Sequence, residues 1–107
     1  MRVLFVCTAN QHRSPTAETL FSAWPGLEVS SAGLDAASTR VLDAAMVEEA
    51  DLIFVMEPHH RETIRRRFRA VLGTRRVLVL GIPDIYDRDQ PELIALLRDK
   101  VPPLLEP

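Results

Sequence analysis

Apolar runs alternate with helix-spaced apolar positions along the chain, and this alternation predicts an α/β fold. Residues 2–6, 51–56 and 77–80 are dominated by consecutive apolar residues, as buried strands are. Residues 27–31 follow a Pro-Gly turn and predict one more strand. Because strand–helix–strand units of this length form parallel pairs with right-handed crossovers, we expect an open, doubly wound, four-stranded parallel sheet with helices on both faces.

The predicted helices have recognisable starts. Pro15 fits the first position of the first helix, and Ser14 fits its cap. Ser38 fits the cap of a second helix over residues 39–50. The apolar face of the first helix comprises Ala17, Leu20, Phe21 and Trp24, and that of the second comprises Val41, Leu42, Ala45 and Met46.

Later in the chain, Pro58 fits the first position of a third helix. Residues 89–92 have the pattern of a capping box before the last helix, which Pro102 and Pro103 end, and residues 104–107 are expected to fray. The buried face of the third helix is predicted to comprise His60, Ile64, Phe68 and Val71.

The stretch between the first strand and the first helix, residues 7–14, predicts an anion site, and we call it the anion loop. Its backbone N–H groups and the positive end of the helix dipole would converge on one point. Cys7, the only cysteine, opens the loop and is expected to be a thiolate nucleophile. Arg13 presents a planar fork that matches two phosphate oxygens, and the Ser14 hydroxyl can hydrogen-bond the sulfur. The alternative is an ordinary buried cysteine at a strand end.

At these residues the sequence resembles the low-molecular-weight protein tyrosine phosphatases. The resemblance lies in Cys-x5-Arg-Ser directly after the first strand, in Asn10, and in the continuation Ser-Pro-Thr-Ala-Glu over residues 14–18. It implies a flavodoxin-like fold and a phosphatase that works through a cysteinyl-phosphate, with Cys7 as nucleophile and Arg13 as phosphate clamp, and without metal or cofactor. It also implies that the rest of the loop binds substrate, namely Thr8, Ala9, Asn10, Gln11, His12 and Ser14.

The loop after the fourth strand carries the expected proton donor. The family has an Asp-Pro-aromatic motif there, so the resemblance implies that Asp84 is the general acid and that Tyr86 flanks the substrate. Ile85 replaces the proline. Asp87, the next carboxylate, competes for the acid role, and Asp84 could instead only form a turn after Pro83.

Four features depart from the family pattern, and the last of them, Gln11, leaves the substrate open between phosphotyrosine, phosphoarginine and a small phosphomonoester. The chain between the second and third strands is short, so one pocket wall is expected to be absent. Ala9 replaces a glycine and would be strained at positive φ. His12 replaces a second cysteine, so no protective disulfide forms and Cys7 is expected to over-oxidise readily. Gln11 fits neither the tyrosine nor the arginine pattern.

Composition limits the number of domains, the partners and the location that we expect. The chain of 107 residues predicts one domain over 1–107, and a net charge of −2 does not favour nucleic acid as a partner. A single cysteine, with no signal peptide or membrane-length segment, predicts a cytoplasmic protein without a membrane partner. The expected partner is a phosphorylated protein or a small phosphomonoester; the oligomeric state is not predicted.

Three further patterns have ordinary explanations. Seven arginines between Arg61 and Arg76 could steer anions, but they fit a solvated helix face. Arg40 could lie at a pocket rim, but it fits a solvated first-turn residue. His59 and His60 diverge by ~100° on a helix, and no acidic partner has ligand spacing, so we expect no metal site and a partly buried His60.

Two other function classes remain. A non-catalytic oxyanion-binding regulatory module would keep the loop without turnover. A thiol arsenate reductase on the same scaffold would need further cysteines to pass oxidation along, and the chain has none.

Overall fold

A four-stranded parallel sheet organises the computed structural model, which describes residues 1–105. The strands lie in the order β2-β1-β3-β4, which confirms the predicted doubly wound α/β fold. Their bounds are β1 Arg2–Cys7, β2 Glu28–Gly33, β3 Leu52–Val55 and β4 Arg76–Val79.

Helices cover both faces of this sheet. α1 and α5 pack on one face, and α2, α3 and α4 pack on the other. Their bounds are α1 Arg13–Phe21, α2 Ala44–Glu49, α3 Pro58–Arg67, α4 Arg69–Leu72, α5 Pro91–Lys100 and α6 Pro102–Leu105. None of the helices within residues 1–105 has the length and apolar character needed to cross a membrane.

The alternation of side chains along β1 divides the core in two. Phe5 and Cys7 belong to the cluster under α1 and α5, whereas Leu4 and Val6 belong to the cluster under α2–α4. On the first face, Phe5 stacks on Phe54 with ring centroids 5.2 Å apart. β1 is therefore buried on both faces, and Cys7 at its end is held on a rigid strand.

The first helix begins two residues earlier than predicted. α1 starts at Arg13 with His12 in the cap position, so Ser14 is not the cap and Pro15 is the third helical residue. Pro15 fits there because the first N–H groups of a helix have no partner within it. The Ser14 hydroxyl does not cap the helix because it contacts Cys7 and Asn10 instead.

The predicted helix over 39–50 forms only in its second half, and Ser38 does not cap it. Only Ala44–Glu49 is helical, capped by the Asp43 carboxylate, which accepts a bond of 2.9 Å from the Met46 N–H. The preceding residues are held to the end of β2: Gly33 donates its N–H to the Arg40 carbonyl, and the Leu42 N–H donates to the Gly33 carbonyl. These bonds keep the segment extended where its apolar spacing alone favoured a helix.

The C-terminal prediction also needs correction. Gln90, not Asp89, occupies the cap position of α5, and no capping box forms. Asp89 has a φ of 61° and donates its backbone N–H to the Thr16 hydroxyl, so its side chain is not placed to cap. Residues 104 and 105, expected to fray, belong to α6, whereas 106 and 107 lie outside the described residues.

The arginines of the Arg61–Arg76 stretch hold the fold in several places. Arg75 donates to the carbonyls of Glu48, Ala50, Val71 and Leu72. Arg67 donates to the Leu34 carbonyl, and Arg65 pairs with Glu62. Arg67 and Arg75 therefore have a structural role, whereas Arg65, Arg66 and Arg69 are exposed, as expected of a solvated helix face.

Candidate active site

The anion loop and the loop after β4 meet at the carboxyl edge of the sheet. β1 lies between β2 and β3 in the sheet, and the crevice outside such a switch point is where ligands bind in doubly wound folds. The two loops enclose a cleft of about 370 Å³. Its lining brings together Cys7, Ala9, Gln11, His12, Arg13, Asp84, Ile85, Tyr86 and Asp87.

The backbone of the anion loop is turned by the segment that follows β2. The carbonyls of Cys7, Thr8 and Ala9 accept bonds of 3.0, 2.9 and 3.3 Å from N–H groups in residues 34–39. Because a peptide's N–H points opposite to its carbonyl, the next three N–H groups face away from that segment, as an anion site requires. Gly33 permits this close approach, since a Cβ there would lie 2.8 Å from the Asn10 nitrogen.

The left-handed position of the loop is Asn10 and not Ala9. Asn10 has a φ of 53°, and no positive φ occurs at Ala9, so the strain expected there is absent. The Asn10 side chain is buried and donates to the hydroxyls of Ser14 and Ser31, at 2.9 and 3.0 Å. The side-chain amide of Asn10 therefore stabilises the loop, and only the backbone of this residue is available to bind an anion.

A directed chain of hydrogen bonds ends on the sulfur. The Glu18 carboxylate only accepts, so Ser31 donates its proton to it at 2.5 Å. The Asn10 amide then donates to both serines. Ser14 accepts from Asn10, so its own proton is available for Cys7, whose Sγ lies 3.0 Å from the Ser14 Oγ, or for the Ala32 carbonyl at 3.4 Å. A hydroxyl donor at this place stabilises an ionised sulfur.

Arg40 is exposed and not helical, with its Nη1 3.8 Å from Glu18.

Arg13 is buried and held from one side. Its Nη1 donates to the Glu57 carboxylate and to the Ile82 carbonyl, both at 2.8 Å. Its Nε lies 3.7 Å from Asp84 Oδ1. With Nη1 occupied, Nε and Nη2 remain as the parallel pair of donors that fits two oxygens of a phosphate.

Sequence reasoning missed Glu57. Burial alone would raise the pKa of Glu57, but the hydrogen bond and charge of Arg13, with smaller effects from His59 and His60, outweigh it and hold that pKa below its ordinary value. Glu57 is therefore an anionic anchor for the guanidinium. The sequence did contain an indication of this role. Glu57 is the first carboxylate after β3, and it therefore lies at the same sheet edge as Cys7.

His60 is more deeply buried than predicted, with 1% of its surface exposed. Its Nδ1 accepts the Glu57 backbone N–H at 3.0 Å, and its Nε2 lies 2.9 Å from the Thr8 hydroxyl. Burial lowers the pKa of His60 to about 4; the charges of His59 and Arg13 act in the same direction, against those of Glu57 and Asp84. His60 is thus neutral at physiological pH.

This neutral histidine predicts acid sensitivity of the fold. The unfolded chain takes up the proton near pH 6.5 and the folded protein only near pH 4, so stability is lost as pH falls between these values. From pH 7 to pH 5 we expect His60 to cost about 2 kcal/mol of unfolding free energy. Urea titrations at both pH values should show this loss in the wild type and a smaller one in His60→Gln; equal losses would contradict the assignment.

Glu57, His59 and His60 form a cluster that the sequence did not reveal. One ligand atom of each lies within 4.8 Å of the others, so an acidic partner does have suitable spacing, contrary to expectation. The hydrogen bonds oppose metal binding in this arrangement, because His60 Nδ1 already accepts a hydrogen bond from the Glu57 N–H and Glu57 Oε2 accepts one from Arg13. The absence of a metal site stays a prediction.

Comparison with known proteins supports the family resemblance. The family model described as low molecular weight phosphotyrosine protein phosphatase matches residues 2–47, which include the anion loop. A search of curated proteins found no match.

Solved structures match over most of the chain. The tyrosine phosphatase AmsI of Erwinia amylovora is 26% identical, with a TM-score of 0.73 over 92% of this chain and 87% of its own. The tyrosine phosphatase Wzb of Escherichia coli K30, in complex with phosphate, is 26% identical, with a TM-score of 0.74 over 92% and 91%. The arginine phosphatase YwlE of Geobacillus stearothermophilus is 28% identical, with a TM-score of 0.66 over 92% and 83%.

The sequence match begins in β1 and runs through the anion loop, and the structural matches cover 92% of the chain. Fold, loop position and cleft agree with the resemblance found in the sequence. The chain is therefore a phosphatase that is similar to the low-molecular-weight protein tyrosine phosphatases in the sequence of residues 2–47 and in its fold.

Proposed function

We propose that the protein hydrolyses phosphomonoesters through a cysteinyl-phosphate, with Cys7 as nucleophile, Arg13 as phosphate clamp and Asp84 as general acid and base. The observation that carries this proposal is that Cys7, Arg13 and Asp84 line one cleft, where Glu57 leaves one edge of the guanidinium open and the Asp84 carboxylate lies 3.7 Å from its Nε. Asp84 is favoured over Asp87 because its carboxylate is the one within 3.7 Å of Arg13.

In the first step the Cys7 sulfur attacks phosphorus and the bond to the ester oxygen breaks. The leaving oxygen takes the proton of the Asp84 carboxyl group, and the phosphoryl group is left on the sulfur. Loop N–H groups and Arg13 stabilise the three equatorial oxygens, whose charge is spread in a loose transition state.

In the second step water attacks phosphorus while the Asp84 carboxylate accepts its proton. The sulfur–phosphorus bond breaks, inorganic phosphate leaves, and the thiolate is restored. Ser14 supports both steps because its hydroxyl lies 3.0 Å from the sulfur, where its proton stabilises the attacking and the departing thiolate.

Trapping of the intermediate tests the proposal. With p-nitrophenyl phosphate, rapid acid quenching and mass spectrometry should show one phosphoryl group on the peptide that contains Cys7. Phosphate binding without turnover or labelling would instead favour the non-catalytic oxyanion-binding module. An arsenate reductase is not proposed, because the chain has no second cysteine.

Asp84→Asn should make the rate sensitive to the leaving group. An amide cannot supply the proton, so we expect kcat to fall about 100-fold with phenyl phosphate and less with p-nitrophenyl phosphate, whose leaving group needs no proton. Asp87→Asn is the matched control in the same loop. If Asp87→Asn alone produces this pattern, Asp87 is the acid; if neither variant does, the assignment of an aspartate from this loop is wrong.

The substrate side of the cleft does not favour one phosphorylated residue over another. Tyr86 is half-buried at the mouth, where an aromatic leaving group would lie beside it. Asp84 and Asp87 would equally suit a cationic guanidinium. We therefore propose a phosphorylated protein or a small phosphomonoester as substrate, and a parallel comparison of phosphotyrosine and phosphoarginine peptides distinguishes them.

The chemistry also suggests where the protein works. The nucleophile must be reduced, and the cytoplasm keeps thiols in that state. We infer a cytoplasmic location on that ground, and it is tested by fractionating cells that express a tagged protein.

A further inference from the structure

The turn from β3 into α3 reaches the anion loop at both of its ends. Glu57 contacts Arg13 at the far end, and His60, three residues later, contacts Thr8 directly after the nucleophile. The proposed mechanism uses the first contact to orient the clamp but gives the second no role. A buried histidine against a phosphate-binding loop therefore needs its own explanation.

The tautomer of His60 is determined by its surroundings. Nδ1 accepts the Glu57 backbone N–H, so the single ring proton of the neutral imidazole is on Nε2. Nε2 must then donate to the Thr8 Oγ1, at 2.9 Å. The direction of this hydrogen bond is therefore fixed: His60 donates and the Thr8 hydroxyl oxygen accepts.

Thr8 is held from two sides. His60 holds its side chain, while its carbonyl accepts a bond of 2.9 Å from the Asp35 N–H. These contacts define the plane of the peptide between Thr8 and Ala9. Since the carbonyl points to the 34–39 segment, the Ala9 N–H points away from it, and Ala9 lines the cleft.

We propose that His60 is a positioning residue that, by donating to the Thr8 hydroxyl, keeps the Ala9 N–H aimed at a bound phosphoryl group. The inference rests on the proposed function, because that function supplies the phosphoryl ligand. Misplacing one donor weakens electrostatic stabilisation of the phosphoryl oxygens, so loss of the bond should reduce both phosphate affinity and turnover.

A double-mutant cycle tests the proposal, with inorganic phosphate binding measured by calorimetry and kcat and KM measured on p-nitrophenyl phosphate. His60→Ala and Thr8→Val should each weaken phosphate binding and kcat/KM about tenfold, and the double variant should be no worse than either single one. Additive losses would show that the two residues act independently and would overturn the proposal.

His60→Gln separates positioning from stability, because its amide can still donate toward Thr8. It should recover most of the phosphate affinity that His60→Ala loses, even where both variants unfold at lower temperature than the wild type. His59→Ala is the matched control, since it removes the adjacent, exposed imidazole without touching Thr8. A loss of affinity in His59→Ala equal to that in His60→Ala would point to charge instead of geometry and would overturn the proposal.

Two outcomes keep this test distinct from that of the proposed function. If the wild type binds phosphate but does not hydrolyse the substrate, the proposed mechanism fails. The phosphate affinities of the double-mutant cycle still show whether His60 positions the loop. If His60→Ala does not fold, Thr8→Val is compared with Thr8→Ser, which keeps the hydroxyl; equal phosphate affinities in these two would refute the positioning role.

Discussion

Cys7→Ser is expected to lower kcat on p-nitrophenyl phosphate by at least about 10⁴-fold, the largest effect of any substitution considered. The serine hydroxyl stays protonated at neutral pH, and the hydrogen-bond chain through Ser14 is arranged to stabilise an ionised sulfur, not to remove a proton from an alcohol. Steady-state turnover of the purified variant measures the loss.

Phosphate binding should survive in the same variant. Arg13 and the loop N–H groups are unchanged, so we expect the dissociation constant of inorganic phosphate to remain within about tenfold of the wild type. Ser22→Ala, at an exposed position after α1, is the control and should leave both quantities unchanged. Turnover by Cys7→Ser within about tenfold of the wild type would exclude the cysteinyl-phosphate.

Arg13→Lys is expected to lower kcat/KM by about 10³-fold. The guanidinium satisfies Glu57 and the Ile82 carbonyl with one nitrogen and still offers a parallel pair of donors on its other edge. An ammonium is a single point charge on a flexible stem, and beside Glu57 it will pair with that carboxylate and leave the phosphoryl oxygens. Charge alone therefore cannot replace the planar fork.

The matched control for this substitution is Arg66→Lys, which makes the same exchange at an exposed helical position. It should leave kcat/KM and unfolding temperature unchanged. Circular dichroism and thermal unfolding of Arg13→Lys separate loss of the clamp from loss of the fold, because Arg13 is buried. If the folded variant retains kcat/KM within about tenfold, the guanidinium fork is not the phosphate clamp.

The errors in the sequence predictions have a common cause. Spacing favoured a helix over 39–50, but the Gly33 N–H donates to the Arg40 carbonyl and the Gly33 carbonyl accepts from the Leu42 N–H, which keeps the first part extended. The Ser-Pro pair predicted a capped helix start, but Ser14 is taken up by the sulfur and by Asn10. In both cases a tertiary hydrogen bond outweighed a local preference of about 1 kcal/mol.

The strain predicted at Ala9 was misplaced for a similar reason. Replacement of a family glycine suggested a positive φ, but the left-handed residue is Asn10, a type that tolerates that conformation and is fixed there by its amide bonds to Ser14 and Ser31. The residue type was the sign that the sequence offered, since Asn is enriched at positive φ, but the bonds that hold it there come from the end of β2 and from α1.

The chain by itself determined the sheet, its crossovers and the position of Cys7 and Arg13 at the start of a helix, because these follow from hydrophobic spacing and from a strand–loop–helix unit of neighbouring residues. Only the tertiary structure decided how that unit is held. Glu57, Ile82 and His60 reach the anion loop across 44, 69 and 52 residues. Hydrogen bonds between residues so far apart in the chain depend on angles and burial that the spacing of residue types does not encode. The residues that hold the anion loop in place could therefore be identified only from the structure, in which the sheet brings its strand ends together.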